Sequence, residues 1–77
     1  MDLRVIARRY RLAAQRARLQ RGALLAEIRT FEDPNVTWLK PPRSRIEALR
    51  LAADMEGELA TYLETLAARA DRKANES

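Results

Sequence analysis

Apolar residues in the first part of the chain recur every three or four residues, with one step of seven. They are Leu3, Ile6, Tyr10, Ala13, Ala17, Leu24, Ile28 and Phe31. This spacing places them on one face of an α-helix, and Asp2 precedes it as an N-cap that can accept from the first backbone N–H groups. Pro34 disfavours helical geometry at the residue before it. The pattern therefore predicts a first helix over residues 2–31.

A second apolar stripe follows the Pro41-Pro42 pair. Its members are Leu49, Ala52, Met55, Leu59, Tyr62, Leu63, Leu66 and Ala70. Ser44 and Glu47 have the spacing of a capping box, in which each side chain accepts from the backbone N–H of the other residue. The sequence predicts a second helix over residues 44–70, followed by a polar tail at 71–77.

The connection over residues 32–43 contains Trp38 and Leu39. We expect both to fold back as a plug over the end of the helices, since a small core needs its large side chains. The alternative is that Trp38 is an exposed anchor for a partner. No strand-like alternation occurs in the sequence. The expected fold is all-α: an antiparallel, coiled-coil-like two-helix hairpin, forming a single domain over residues 1–77.

The first helix carries a second apolar stripe on another face. Its members are Val5, Leu12, Leu19, Ala23 and Ala26, and Arg9 and Arg16 flank it. One neighbouring helix covers only one stripe. We expect the second stripe to be covered when two hairpins pair into a four-helix bundle or when the hairpin docks on a protein partner. The predicted partner-binding residues are Val5, Leu12, Leu19, Arg9 and Arg16. Alternatively, these aliphatic side chains simply remain on the surface.

Antiparallel pairing brings Arg21 close to the level of Glu56. We predict that they form a structural ion pair, because a charge inside a helix seam is tolerated when it finds a partner. The alternative is that both side chains turn outward to water. Gly22 and Gly57 each lower helix propensity, and the sequence shows no packing reason for either.

Charge is divided unevenly along the 77 residues. Residues 1–45 carry 11 basic and 4 acidic groups, residues 46–77 carry 4 basic and 7 acidic groups, and the net charge is +4. Seven arginines and no acidic residue lie between Leu3 and Ala26. A basic helix beside an acidic one favours complementarity with a protein partner or a second copy, such as a homodimer.

The same arginines permit a second interpretation. Arg4, Arg8, Arg11 and Arg18 share one side of the helix and are possible phosphate-binding residues of a small nucleic-acid-binding protein. This face has no aromatic residue for stacking on bases, so nucleic acid is the less favoured partner. An anionic membrane surface is less favoured again.

Several classes of chemistry lack the residues they need. The chain has no His and no Cys, so the commonest metal ligand, the usual general base and any thiol nucleophile are absent. We expect the protein to bind no metal, no cofactor and no small-molecule substrate, and we expect that it is not an enzyme. The predicted function is a protein–protein interaction module: an adaptor, assembly factor, small chaperone or inhibitor.

The composition, with 13 Arg and 14 Ala, suggests a GC-rich bacterial or phage genome. We expect a cytoplasmic protein, or a virion-associated one if a phage encodes it. The layout loosely resembles helical-hairpin chaperones of secretion systems and short phage accessory proteins. That resemblance is one of architecture and assigns no site residue.

Overall fold

A computed structural model describes residues 2–33, 35 and 42–76 of the chain. It contains two long helices, α1 (Leu3–Glu32) and α2 (Arg43–Glu76). The helices run antiparallel, because Arg11 of α1 pairs with Asp71 of α2, while Glu27 pairs with Arg45. The hairpin is a rod of 62 × 17 × 16 Å. The all-α hairpin predicted from the sequence is confirmed.

The seam between the helices is built almost entirely of alanine. Two clusters form it, the first of Ala7, Ala67 and Ala70, and the second of Ala14, Ala17 and Ala60. Ala53 and Ile28 are the other buried residues among those described. Ala7 and Ala14 of α1, and Ala53, Ala60 and Ala67 of α2, recur in steps of seven, the repeat that keeps one face against a neighbouring helix. Ala17 and Ala70 each lie three residues further along the same face. Small side chains in these positions let the two backbones lie close together.

Larger apolar side chains flank the alanine seam. Ile6 and Tyr10 pack against the first cluster, and Leu63 packs against the second. The inner stripe predicted for the first helix therefore does face α2. The stripe predicted for the second helix was partly wrong, since Met55, Leu59 and Tyr62 are 60%, 45% and 61% exposed. The alanines of α2 occupy the seam instead, and their step of seven turns these larger residues away from α1.

The ends of the helices follow local hydrogen bonding. The Asp2 carboxylate accepts from the Arg4 N–H at 2.9 Å, as predicted for an N-cap. The first helical bond of α2 runs from the Ile46 N–H to the Pro42 carbonyl at 3.0 Å. Ser44 therefore lies within the first turn of α2 and not at its cap, which corrects the predicted start.

The second helix is longer than the sequence pattern indicated. It continues to Glu76, so the polar tail predicted at 71–77 is helical as far as the structure describes it. Asp71 pairs with Arg11, and Arg72, Lys73 and Ala74 are good helix formers. Lys73 also lies in the last turn, where a positive charge is favourable. The predicted plug formed by Trp38 and Leu39 lies outside the described residues.

Candidate interaction surface

Three apolar side chains on α1 lie on the side turned away from α2. Val5, Leu12 and Leu19 follow one another in steps of seven, as the buried Ala7 and Ala14 do, and are 38%, 51% and 75% exposed. We call these three residues the outer stripe of α1. The helix turn places them on a face that the single chain leaves open, where the sequence pattern put them.

Exposed arginines border the outer stripe of α1. Arg9 and Arg16 lie along one side of it, each three or four residues from a stripe member, and Arg8 lies along the other side. No ion pair joins any of the three to another side chain in the described part of the chain. An arginine in this position can lay its aliphatic stem against a leucine while its guanidinium reaches a carboxylate on another molecule.

Two of the four predicted phosphate-binding arginines are already paired within the hairpin. Arg11 donates to Asp71 and Arg18 donates to Glu64, along one edge between the helices. Arg4 and Arg8 are exposed and make no ion pair with a described residue. Two of the four predicted arginines therefore remain unpaired and two do not, because α2 supplies carboxylates at the level of Arg11 and Arg18.

Nearer the connection between the helices, the acidic and basic members of the ion pairs exchange helices. Glu32 accepts from Arg50 on the same edge as the two pairs above, and Glu27 accepts from Arg45 at 2.7 Å on the other edge. Here the acid is on α1 and the base is on α2. Each exposed pair contributes only about 0.2–1 kcal/mol, yet the reversal disfavours sliding of one helix along the other.

The described part of the chain contains no ion pair between Arg21 and Glu56, for which the sequence predicted one. Leu63 packs against the cluster that contains Ala14, and one step of seven along each helix from these two residues sets Arg21 near the level of Glu56. The Arg21 side chain instead crosses over Gly57. Its Nε and Cδ atoms lie 3.2 and 3.3 Å from the point where a Cβ of residue 57 would stand. The missing side chain opens a route by which the guanidinium leaves the seam.

That route ends in a shallow groove on the outer side of α2. The groove is lined by Arg21, Asp54, Gly57, Glu58, Thr61 and Tyr62. Gly57 thus has a packing role that the sequence did not reveal. Gly22 has none, since nothing lies within 4 Å of the position of its missing Cβ.

A second exposed apolar surface lies on α2 and was missed by the sequence reasoning. Leu51, Met55 and Tyr62 are 61%, 60% and 61% exposed, and we call them the outer stripe of α2. Asp54 and Glu58 are exposed beside it, each three or four residues from a stripe member. The sequence did contain a signal for this surface, because alanines of α2 recur in steps of seven. The prediction placed larger residues on the inner face instead.

The described residues include no cluster of three or more carboxylates placed to hold a metal ion. Neither helix, over its described length, is apolar enough to cross a lipid bilayer. No known protein family matches the chain, and neither a curated protein nor a solved structure is significantly similar to it.

Proposed function

We propose that the chain is a non-enzymatic protein–protein interaction module that binds through the outer stripe of α1. One observation carries the proposal: Leu12 and Leu19 are 51% and 75% exposed on a face that α2 does not cover. Burying a leucine of this kind contributes about 1.5–3 kcal/mol to a contact. Arg9 and Arg16 supply the polar border that such apolar centres have in protein interfaces. An adaptor, assembly factor, small chaperone or inhibitor works by contact of this type.

Nucleic-acid binding is the weaker proposal for the same helix. Arg11 and Arg18 already contact Asp71 and Glu64, so an approaching phosphate would compete with two carboxylates for them. The carboxylates would also repel the phosphate. Titration with single-stranded and duplex oligonucleotides at low salt tests this, because phosphate contacts produce a steep loss of affinity as salt rises.

The main test removes the apolar contact without disturbing the hairpin. The wild-type chain and the double variant Leu12→Glu, Leu19→Glu are immobilised, and the proteins that each retains are compared, including added copies of the wild-type chain. Since both side chains are largely exposed, the variant is expected to keep its helical circular dichroism. We expect it to lose the protein that the wild type retains.

A control with the same change of charge is available on α1. Gln15→Glu plus Gln20→Glu adds two negative charges at exposed positions but removes no apolar side chain. The control is expected to retain the partner. Equal retention by the wild type and the leucine variant, or equal loss in the leucine variant and the control, would contradict binding through the apolar stripe.

A further inference from the structure

We propose that the occupant of the outer stripe of α1 is the outer stripe of α2 of a second copy of the same chain. This inference depends on the proposed function, because it names the partner of that site. It is carried by three features of the described residues: two unpartnered apolar stripes, opposite charges beside them, and matching lengths.

The charges beside the two stripes are complementary. Arg9 and Arg16 lie beside the stripe of α1, whereas Asp54 and Glu58 lie beside the stripe of α2. More broadly, α1 has seven arginines and no acid between residues 3 and 26, and α2 has four acids and no base between residues 51 and 68. A contact between α1 of one copy and α2 of another therefore joins opposite charges.

The hairpin itself leaves most of these charges unused. Between those two segments, the structure describes a single ion pair within the chain, Arg18 with Glu64. Contact of α1 with α1 would bring arginines together, and contact of α2 with α2 would bring Asp54 and Glu58 near their own copies. Like charges across an interface disfavour both arrangements. The charge pattern therefore favours contact of α1 of one copy with α2 of the other.

The two apolar stripes also match in length. Val5 to Leu19 spans about 21 Å and Leu51 to Tyr62 about 17 Å, at a rise of about 1.5 Å per residue. A stable interface buries about 800 Å² on each partner, which is about an eighth of the 6257 Å² that this chain exposes. Because the two stripes lie on opposite sides of the hairpin, the contact is head-to-tail, and each copy can bind one neighbour through α1 and another through α2.

Charge reversal on each helix in turn tests the pairing. One variant carries Arg9→Glu and Arg16→Glu, and the other carries Asp54→Arg and Glu58→Arg. All four positions are exposed in the single hairpin, so we expect both variants to keep wild-type helicity. Mass is measured by light scattering over a concentration series for the wild type, for each variant, and for an equimolar mixture of the variants.

The wild type is expected to have a mass of at least two chains, and each variant alone is expected to be a monomer at the same concentration. The mixture is expected to recover the wild-type mass, because each variant then meets a helix of opposite charge. Arg72→Glu plus Lys73→Glu is the matched control. It changes the net charge as the α1 variant does, at exposed positions near the end of α2, and is expected to associate like the wild type.

A wild type that stays monomeric, variants that associate as the wild type does, or a mixture that stays monomeric would each overturn the inference. The retention experiment with Leu12→Glu, Leu19→Glu keeps this outcome separate from the proposed function. A monomeric wild type that still retains another protein through Leu12 and Leu19 overturns the inference that the partner is a second copy and leaves the proposed function in place. A wild type that neither associates nor retains a protein overturns both.

Discussion

The inner and outer faces of this hairpin differ in the size of the side chains they carry. The seam between α1 and α2 holds alanines that are at most 9% exposed, whereas the valine, leucine, methionine and tyrosine side chains of the two outer stripes are 38–75% exposed. Alanine brings two helices close but buries little apolar area per residue. The seam therefore sets the geometry of the hairpin, and much of the apolar surface remains for contact with other molecules.

The largest expected difference in the free energy of unfolding is between variants in which one large side chain is truncated on the inner face or on the outer face. Ile28 is 5% exposed and is the one large apolar residue buried in the described seam, so Ile28→Ala should lower the free energy of unfolding by about 2–4 kcal/mol. Leu19 is 75% exposed, and Leu19→Ala should change it by at most about 0.5 kcal/mol. Urea unfolding followed by circular dichroism, at a concentration where the chain is monomeric, measures both. Equal losses would show that the two faces do not differ in this way.

Enlarging an alanine tests the closeness of the seam. Ala60 is 0% exposed between Ala14 and Ala17, so Ala60→Leu should separate the helices and lower the free energy of unfolding by about 1–3 kcal/mol. The control is Ala68→Leu at an exposed position of the same helix, where we expect little change. The melting temperatures of the two variants make the comparison. An Ala60→Leu variant as stable as the control would mean that the seam accommodates a leucine without separating the helices.

The sequence was sufficient to predict the element order and the orientation of α1. Leu3, Ile6 and Ile28 fall on one stripe, and a Pro-containing break separates two long helical patterns. Because α1 carries two distinct apolar stripes, the face left open by α2 could be identified from residue spacing alone.

The rotation of α2 could not be predicted in the same way. A contiguous band of apolar residues covers much of α2, and the choice of inner face depended on side-chain size. Large residues such as Met55 and Tyr62 were placed inside, whereas close packing against the alanines of α1 selects Ala53 and Ala60. The path of Arg21 over Gly57 was also missed, since a gap for one side chain depends on the three-dimensional packing.

The two glycines provide a smaller test of the difference between packed and open positions. Gly22 has nothing within 4 Å of its missing Cβ, so Gly22→Ala should raise the free energy of unfolding by about 0.5–1 kcal/mol through helix propensity. At Gly57 the same change meets Arg21 Nε at 3.2 Å, and displacing that side chain offsets part of the gain. Thermal unfolding of both variants checks the order. A gain at Gly57 equal to that at Gly22 would show that the Arg21 contact has no energetic consequence.

The smallest expected effect concerns the paired and unpaired arginines of α1. A double-mutant cycle with Arg18→Gln and Glu64→Gln should give a coupling of about 0.2–1 kcal/mol, because these exposed groups contact each other. Arg16 has no described ion pair, so the cycle of Arg16→Gln with Glu64→Gln should give none. Measuring both cycles at about 0.1 M and about 1 M salt should show the first coupling fall as the Debye length shrinks from about 10 Å to about 3 Å. A coupling at Arg16 as large as that at Arg18 would mean that the carboxylates of α2 act on both arginines alike. The unpaired arginine would then no longer be distinguished as one available to a partner.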